Sequence, residues 1–138
     1  MDIELRNRYL FSQKLVKEVG EIALDFYLNR NELKIECKKG DLQDQVSIAD
    51  KTVEAKIKDA LKSHFPQDGF LGEESGAENL VCEYCWVVDP IDGTSSFLYG
   101  LNAWCISIAI LHRNQIVCGV IFDLSLIHIS EPTRPRLI

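Results

Sequence analysis

Nowhere in the 138 residues do about 18 apolar residues run without interruption, so no membrane-spanning helix and no membrane partner is expected. The N-terminus, Met1-Asp2-Ile3-Glu4, lacks the basic-then-apolar pattern of an export signal, which makes a cytoplasmic setting the expectation. Positive charge is scarce: 15 Lys and Arg stand against 21 Asp and Glu, a net charge of −6. Such a chain lacks the broad positive field that a nucleic-acid polymer attracts, and that class of partner is excluded. It would also repel a phosphorylated substrate unless metal cations intervened. The five cysteines (Cys37, Cys82, Cys85, Cys105 and Cys118) include a single C-x-x-C, and His64, His112 and His128 show no ligand spacing. A structural zinc site needs four ligands, so reduced thiols in a loop are expected instead. Internal repeats and low-complexity tracts are also missing.

What is present is ordinary globular material. Hydrophobic residues make up 46% and charged residues 26%, enough for one compact domain with a real core. Leu15, Val19, Ile22 and Phe26 recur at helical spacing, and Asn29-Arg30-Asn31 supplies a stop. Leu33 to Cys37 alternates like a short strand, and Lys38 to Asp44 reads as a charged loop. Ser47-Ile48-Ala49-Asp50 fits a variant capping box, so a second helix is expected to start there and carry Val53, Ile57 and Leu61 inward. Phe65-Pro66-Gln67-Asp68-Gly69 ends it with turn residues, and an acidic polar loop is expected to run from Gly72 to about Glu83. Trp86-Val87-Val88 reads as a short buried strand. Cys105 to Leu111 and Ile116 to Phe122 read as a hairpin joined through His112-Arg113-Asn114-Gln115. The order helix, strand, helix and then several strands gives an α+β class.

The stretch that carries chemistry is Asp89-Pro90-Ile91-Asp92-Gly93-Thr94. Two carboxylates sit three residues apart at the end of an apolar strand. Pro90 stiffens the turn, Gly93 permits close approach of a ligand, and Thr94 adds a hydroxyl. Ser95 and Ser96 extend it into a helix or turn whose N–H groups face an anion. Crowded hard oxygens suit Mg²⁺, which takes carboxylates, waters and substrate phosphate. Glu73-Glu74 and Asp50 offer further carboxylates. Each acid alone also reads as a solvated group or, for Asp50, a helix cap. On pattern alone, a metal-assisted phosphate site and a structural turn weigh about equally.

Gly72-Glu73-Glu74-Ser75 followed by Trp86-Val87-Val88-Asp89-Pro90-Ile91-Asp92-Gly93-Thr94 resembles the inositol monophosphatase family of Mg²⁺-dependent, lithium-sensitive phosphatases. The resemblance covers Val46 to Glu54 as well, and runs from the first helix to the hairpin end at Asp123, so residues 1–123 are taken as one domain. It implies the N-terminal part of a layered αβαβα sandwich with a mainly antiparallel sheet. It implies that Glu73, Asp89 and the Ile91 carbonyl bind a first metal and that Asp92 helps hold a second. Thr94, Asp50 and Glu73 would orient and activate the attacking water. Ile91, Asp92, Gly93 and Thr94 would line the substrate, with backbone N–H groups near Gly93 and Thr94 around the phosphate. Lys39 falls near a basic position of the family. The implied substrate is a small phosphate ester, and family members are commonly homodimers.

Two departures stand out. Ser96 replaces a frequent asparagine. The family's catalytic unit is about twice this long, and its later segment supplies another aspartate for the second metal, a role Asp123 does not fill. Ser125 to Pro135 reads as translated sequencing-adapter sequence, so residues 124–138 are expected to be a non-matching artefact. On that expectation the hairpin is left with an exposed edge, and the chain alone turns over little or no substrate.

Overall fold

The computed structural model describes residues 1–30, 42–123 and 128–133. The expected strand at Leu33–Cys37, Lys39 and most of the loop around it lie outside the described residues.

Helix α1 (Ile3–Leu28) opens on Asp2, whose carboxylate accepts the Leu5 N–H at 2.7 Å. It ends at Asn29, within the expected stop. Its buried stripe is Leu15, Val16, Val19, Gly20, Ala23 and Tyr27, with Ile22 and Phe26 only half-buried. The expected face is therefore rotated by about one residue. Gly20 sets how close the helix comes to the sheet, because a Cβ there would lie 2.5 Å from the Phe122 ring.

Helix α2 (Leu42–His64) buries Ala49, Val53, Ile57 and Leu61 as the spacing predicts. Its start differs. The helix begins at Leu42, so Ser47 is interior and Asp50 caps nothing. Asp50 is therefore not a helix cap, and its buried carboxylate serves something other than the helix start.

The sheet has the order β2-β1-β3-β4-β5-β6. Its strands are β1 (Gly69–Gly72), β2 (Gly76–Glu78), β3 (Tyr84–Asp92), β4 (Cys105–His112), β5 (Gln115–Asp123) and β6 (His128–Thr133). β1 and β3 run parallel, and every other neighbouring pair is antiparallel. The fold is α+β with a mainly antiparallel sheet. The loop expected from Gly72 to Glu83 is broken by β2, which turns back on β1. The β4–β5 hairpin turns at Arg113 and Asn114, both left-handed at φ 50° and 65°, a turn matched to strand twist. The edge of β5 is not bare, because β6 pairs along it from Gly119↔Thr133 to Asp123↔His128.

Both helices cover one face of the sheet. Trp86, Val88, Ile106, Ile108, Ile110, Cys118, Val120 and Phe122 form that inner face and are buried. Alternate residues such as Val87, Ser107, Ala109 and Ile121 are only half-buried. Each fully buried aliphatic side chain contributes about 1.5–3 kcal/mol relative to exposure, which makes this face the main source of stability. A short third helix, α3 (Thr94–Tyr99), follows β3 and packs Phe97 against Tyr27 and Trp104.

Candidate active site

The parallel pairing of β1 and β3 explains where the acids meet. Gly72 lies beside Val88, so the next residues, Glu73 and Asp89, leave the same end of the sheet as neighbours. The ladder from β3 to β4 breaks between Asp89 and Asp92, where three residue steps on β3 face two on β4. Pro90 has no N–H to give the ladder, so a bulge forms there. Pro90 and Ile91 are buried in it, while Asp92 emerges exposed, with the Cys105 thiol donating to its Oδ2 at 3.9 Å. β3 therefore runs through the acidic motif instead of ending before it.

Gly93 holds φ +94° and is the last residue before α3. A Cβ there would lie 2.5 Å from the Ala103 carbonyl oxygen, so both conformation and space call for glycine. Thr94 then begins α3 and is exposed, and the Phe97 N–H donates to the Gly93 carbonyl at 3.0 Å.

Asp50 comes to this end of the sheet from α2. It is buried, and its carboxyl is pushed up to about 7, first by desolvation and then by the charges of Glu74, Glu73, Asp89 and Glu54. Asp89 is pushed up to about 6 by desolvation and by sharing a proton and a field with Glu73, while a backbone bond from Ile91 acts the other way. Glu73 itself is exposed. Asp50, Glu73 and Asp89 thus share one electrostatic site, and Asp92 adds to the field at Asp89.

Two buried oxygens in this site, Asp50 Oδ1 and Asp89 Oδ1, have no hydrogen-bond partner among the described residues. Buried polar atoms are rarely left so, and a carboxylate oxygen is a strong acceptor. The donor set is hard oxygen throughout, which fits a divalent cation such as Mg²⁺. Among the described residues no three His, Cys, Asp or Glu side chains close into a cage. An open set is what Mg²⁺ commonly uses, with a few carboxylates completed by waters and phosphate.

Glu54 was not singled out in the sequence. It is buried, and it accepts the Glu74 N–H at 3.0 Å and the Ser75 N–H at 2.6 Å. The available signal was its spacing of four from Asp50, which puts both on one helix face. The thiol pair lies at the far end of β3. Burial pushes Cys85 up to about 11, with Cys82 adding to the shift, so it is protonated near neutral pH.

Comparison with known proteins places the fold in a known family. The inositol monophosphatase family profile matches residues 4–128, five residues beyond Asp123. Inositol monophosphatase 1 of Solanum lycopersicum is 37% identical over 111 residues, covering 78% of this chain and 39% of that protein. A histidinol-phosphatase of Chlorobaculum parvum is 33% identical over 108 residues, covering 78% and 40%. The crystal structure of inositol monophosphatase-II from Staphylococcus aureus MSSA476 superposes with a TM-score of 0.76 at 27% identity, covering 94% of this chain and 47% of that one. The chain belongs to the inositol monophosphatase family, a family of phosphatases. It spans about two-fifths of the length of these relatives.

Proposed function

We propose that this chain carries the cation- and water-handling part of a Mg²⁺-dependent phosphomonoesterase acting on a small phosphate ester. The observation that carries the reading is the pair of buried oxygens on Asp50 and Asp89, unpartnered among the described residues, which reach one site from a helix and a strand. Glu73, Asp89 and the Ile91 carbonyl would hold a first cation, and Asp92 would contribute to a second. Bound there, Mg²⁺ supplies charge neutralisation for an anionic ester and Lewis acidity. The chain's own residues then do the positioning. Thr94 donates or accepts through its hydroxyl at the mouth of the site, and Asp50 with Glu73 orients the attacking water and receives its proton. Gly93 keeps the backbone low enough for the ester to approach.

Inositol monophosphate is the default substrate. Histidinol phosphate and nucleotide 3′-phosphates are the nearest alternatives, the first supported by the Chlorobaculum relative's name and similarity. Lithium sensitivity and a homodimer belong to the same proposal for a protein of the relatives' length. Residues 1–123 form the domain that carries the site in this reading, and 124–138 contribute no site residue to it, although β6 extends its sheet. Turnover is proposed for a protein of the relatives' length, and the 138-residue chain is expected to bind cation and hydrolyse little or nothing. Calorimetric titration with Mg²⁺ tests the site directly. Glu73→Ala or Asp89→Ala is expected to abolish the binding isotherm, and unchanged binding would overturn the assignment.

A further inference from the structure

Glu54 is a buried carboxylate with only 2% of its surface exposed. Lys58, one turn further along α2, does not neutralise it, because that ammonium pairs with Glu78 on β2. Among the described residues no Lys or Arg forms an ion pair with Glu54. Its two oxygens are instead divided between consecutive backbone donors, the N–H groups of Glu74 and Ser75. Such charge-assisted bonds are short and directional. Gly72 completes the fit, since a Cβ there would lie 2.5 Å from Glu54 Oε1.

These contacts fall on the turn between β1 and β2, residues 73–75, whose first residue is Glu73. Asp50 stands four residues before Glu54 on the same helix, and its surroundings include both Glu54 and Glu73. One carboxylate therefore ties the turn bearing Glu73 to the helix bearing Asp50. An apolar side chain could have packed this spot without a desolvated charge. The charge is retained where it both grips two N–H groups and deepens the negative field at the site.

We infer that Glu54 is a positioning residue that sets Glu73 against Asp50 and Asp89 for cation binding, an inference resting on the reading of the site under Proposed function. A glutamine would face one backbone N–H with its own amide donor, and an aspartate would fall one methylene short. Both are expected to lose the double grip, although aspartate keeps the charge.

The test uses the whole 138-residue chain. Amide hydrogen exchange is followed by NMR without metal, and Mg²⁺ affinity by calorimetry. Glu54→Gln is expected to speed exchange at Glu74 or Ser75 at least tenfold while β3 and β4 amides keep their protection. Its Mg²⁺ Kd is expected to rise at least tenfold. Glu54→Asp should weaken binding similarly, and wild-type affinity there would overturn positioning in favour of charge alone. Glu78→Gln loosens the same hairpin without touching the 73–75 turn and should leave affinity unchanged. An equal loss in that variant would reduce Glu54 to a general stabiliser and overturn the inference. Should Glu54→Gln fail to fold, Ser75→Pro deletes one donor from the exposed turn and is expected to give the same loss, whereas native affinity would overturn it. A wild-type chain that takes up no Mg²⁺ removes the proposed function and Glu54's role toward the cation with it. Unchanged exchange and affinity in Glu54→Gln, beside a wild type that does bind, removes the Glu54 inference alone.

Discussion

The two ends of the parallel β1–β3 pair treat buried carboxylates in opposite ways. At the start of the pair, Asp68 accepts two bonds from Arg8, Nε to Oδ2 and Nη2 to Oδ1, both at 2.8 Å. Trp86 Nε1 adds a third at 2.8 Å. Arg8 is satisfied in turn by the Glu4 carboxylate and carbonyl, and its guanidinium lies over the Tyr84 ring at 3.9 Å. At the finish of the same pair, Asp50 and Asp89 are desolvated among other acids and each keeps an oxygen without a partner among the described residues. The first end is a closed structural network. The second is held ready for a positive charge that none of the described residues supplies. A buried acid whose partners are all present reports on folding, and one left open reports on a ligand.

The largest effect that would sharpen this contrast is expected at the closed end. Arg8→Ala leaves Asp68 buried without its cation and should cost about 3–5 kcal/mol, read as a lower urea midpoint. A loss below about 1 kcal/mol would mean that the network is ornamental and that the two ends do not differ in kind.

At the open end the sign reverses. Asp50 has a folded value near 7 against an ordinary 3.8, so the folded chain holds a proton that the unfolded chain releases between those values. Its contribution is complete below about pH 4 and is lost as pH rises through 7. Asp50→Asn should therefore match the wild type near pH 4. By pH 8, without metal, it should be more stable by about 1–2 kcal/mol once solvent screening is allowed for. A variant less stable than wild type at pH 8 would break the comparison. The smallest effect belongs to the thiols. Cys82→Ser and Cys85→Ser should each shift stability by about 1 kcal/mol or less and leave Mg²⁺ affinity unchanged. Lost affinity in either would bring the C-x-x-C into the functional account.

The parts of this molecule that were legible in the sequence are those written in local periodicity. The spacing of Val53, Ile57 and Leu61 placed the inner face of α2, and four residues between two apolar runs placed the β4–β5 turn. Ser47 misled because its hydroxyl and the acid three residues later mimic a cap, while the helix runs back to Leu42. β1 and β2 are four and three residues long, β1 has glycine at both ends and β2 at its first position, so only the pairing of β1 with β2 and with β3 makes them strands. Asp89 and Asp92 stood out because they bracket a proline after an apolar run. Glu54 did not, since its spacing of four from Asp50 is the one local signal, and among 21 acids spacing alone does not mark the one that turns inward. Arg8 and Asp68 lie 60 residues apart, and a bond of that range leaves no trace in spacing.

The most direct measurement is the thermal unfolding of wild type and Asp89→Asn at pH 8, each with Mg²⁺ and with chelator. Mg²⁺ should raise the wild-type Tm by several degrees, as binding to the folded state alone requires. Asp89→Asn should show no such rise and should unfold, in chelator, no lower than wild type. A wild-type Tm indifferent to Mg²⁺, together with an Asp89→Asn variant destabilised in chelator, would contradict the account. Asp89 would then be a structural carboxylate like Asp68.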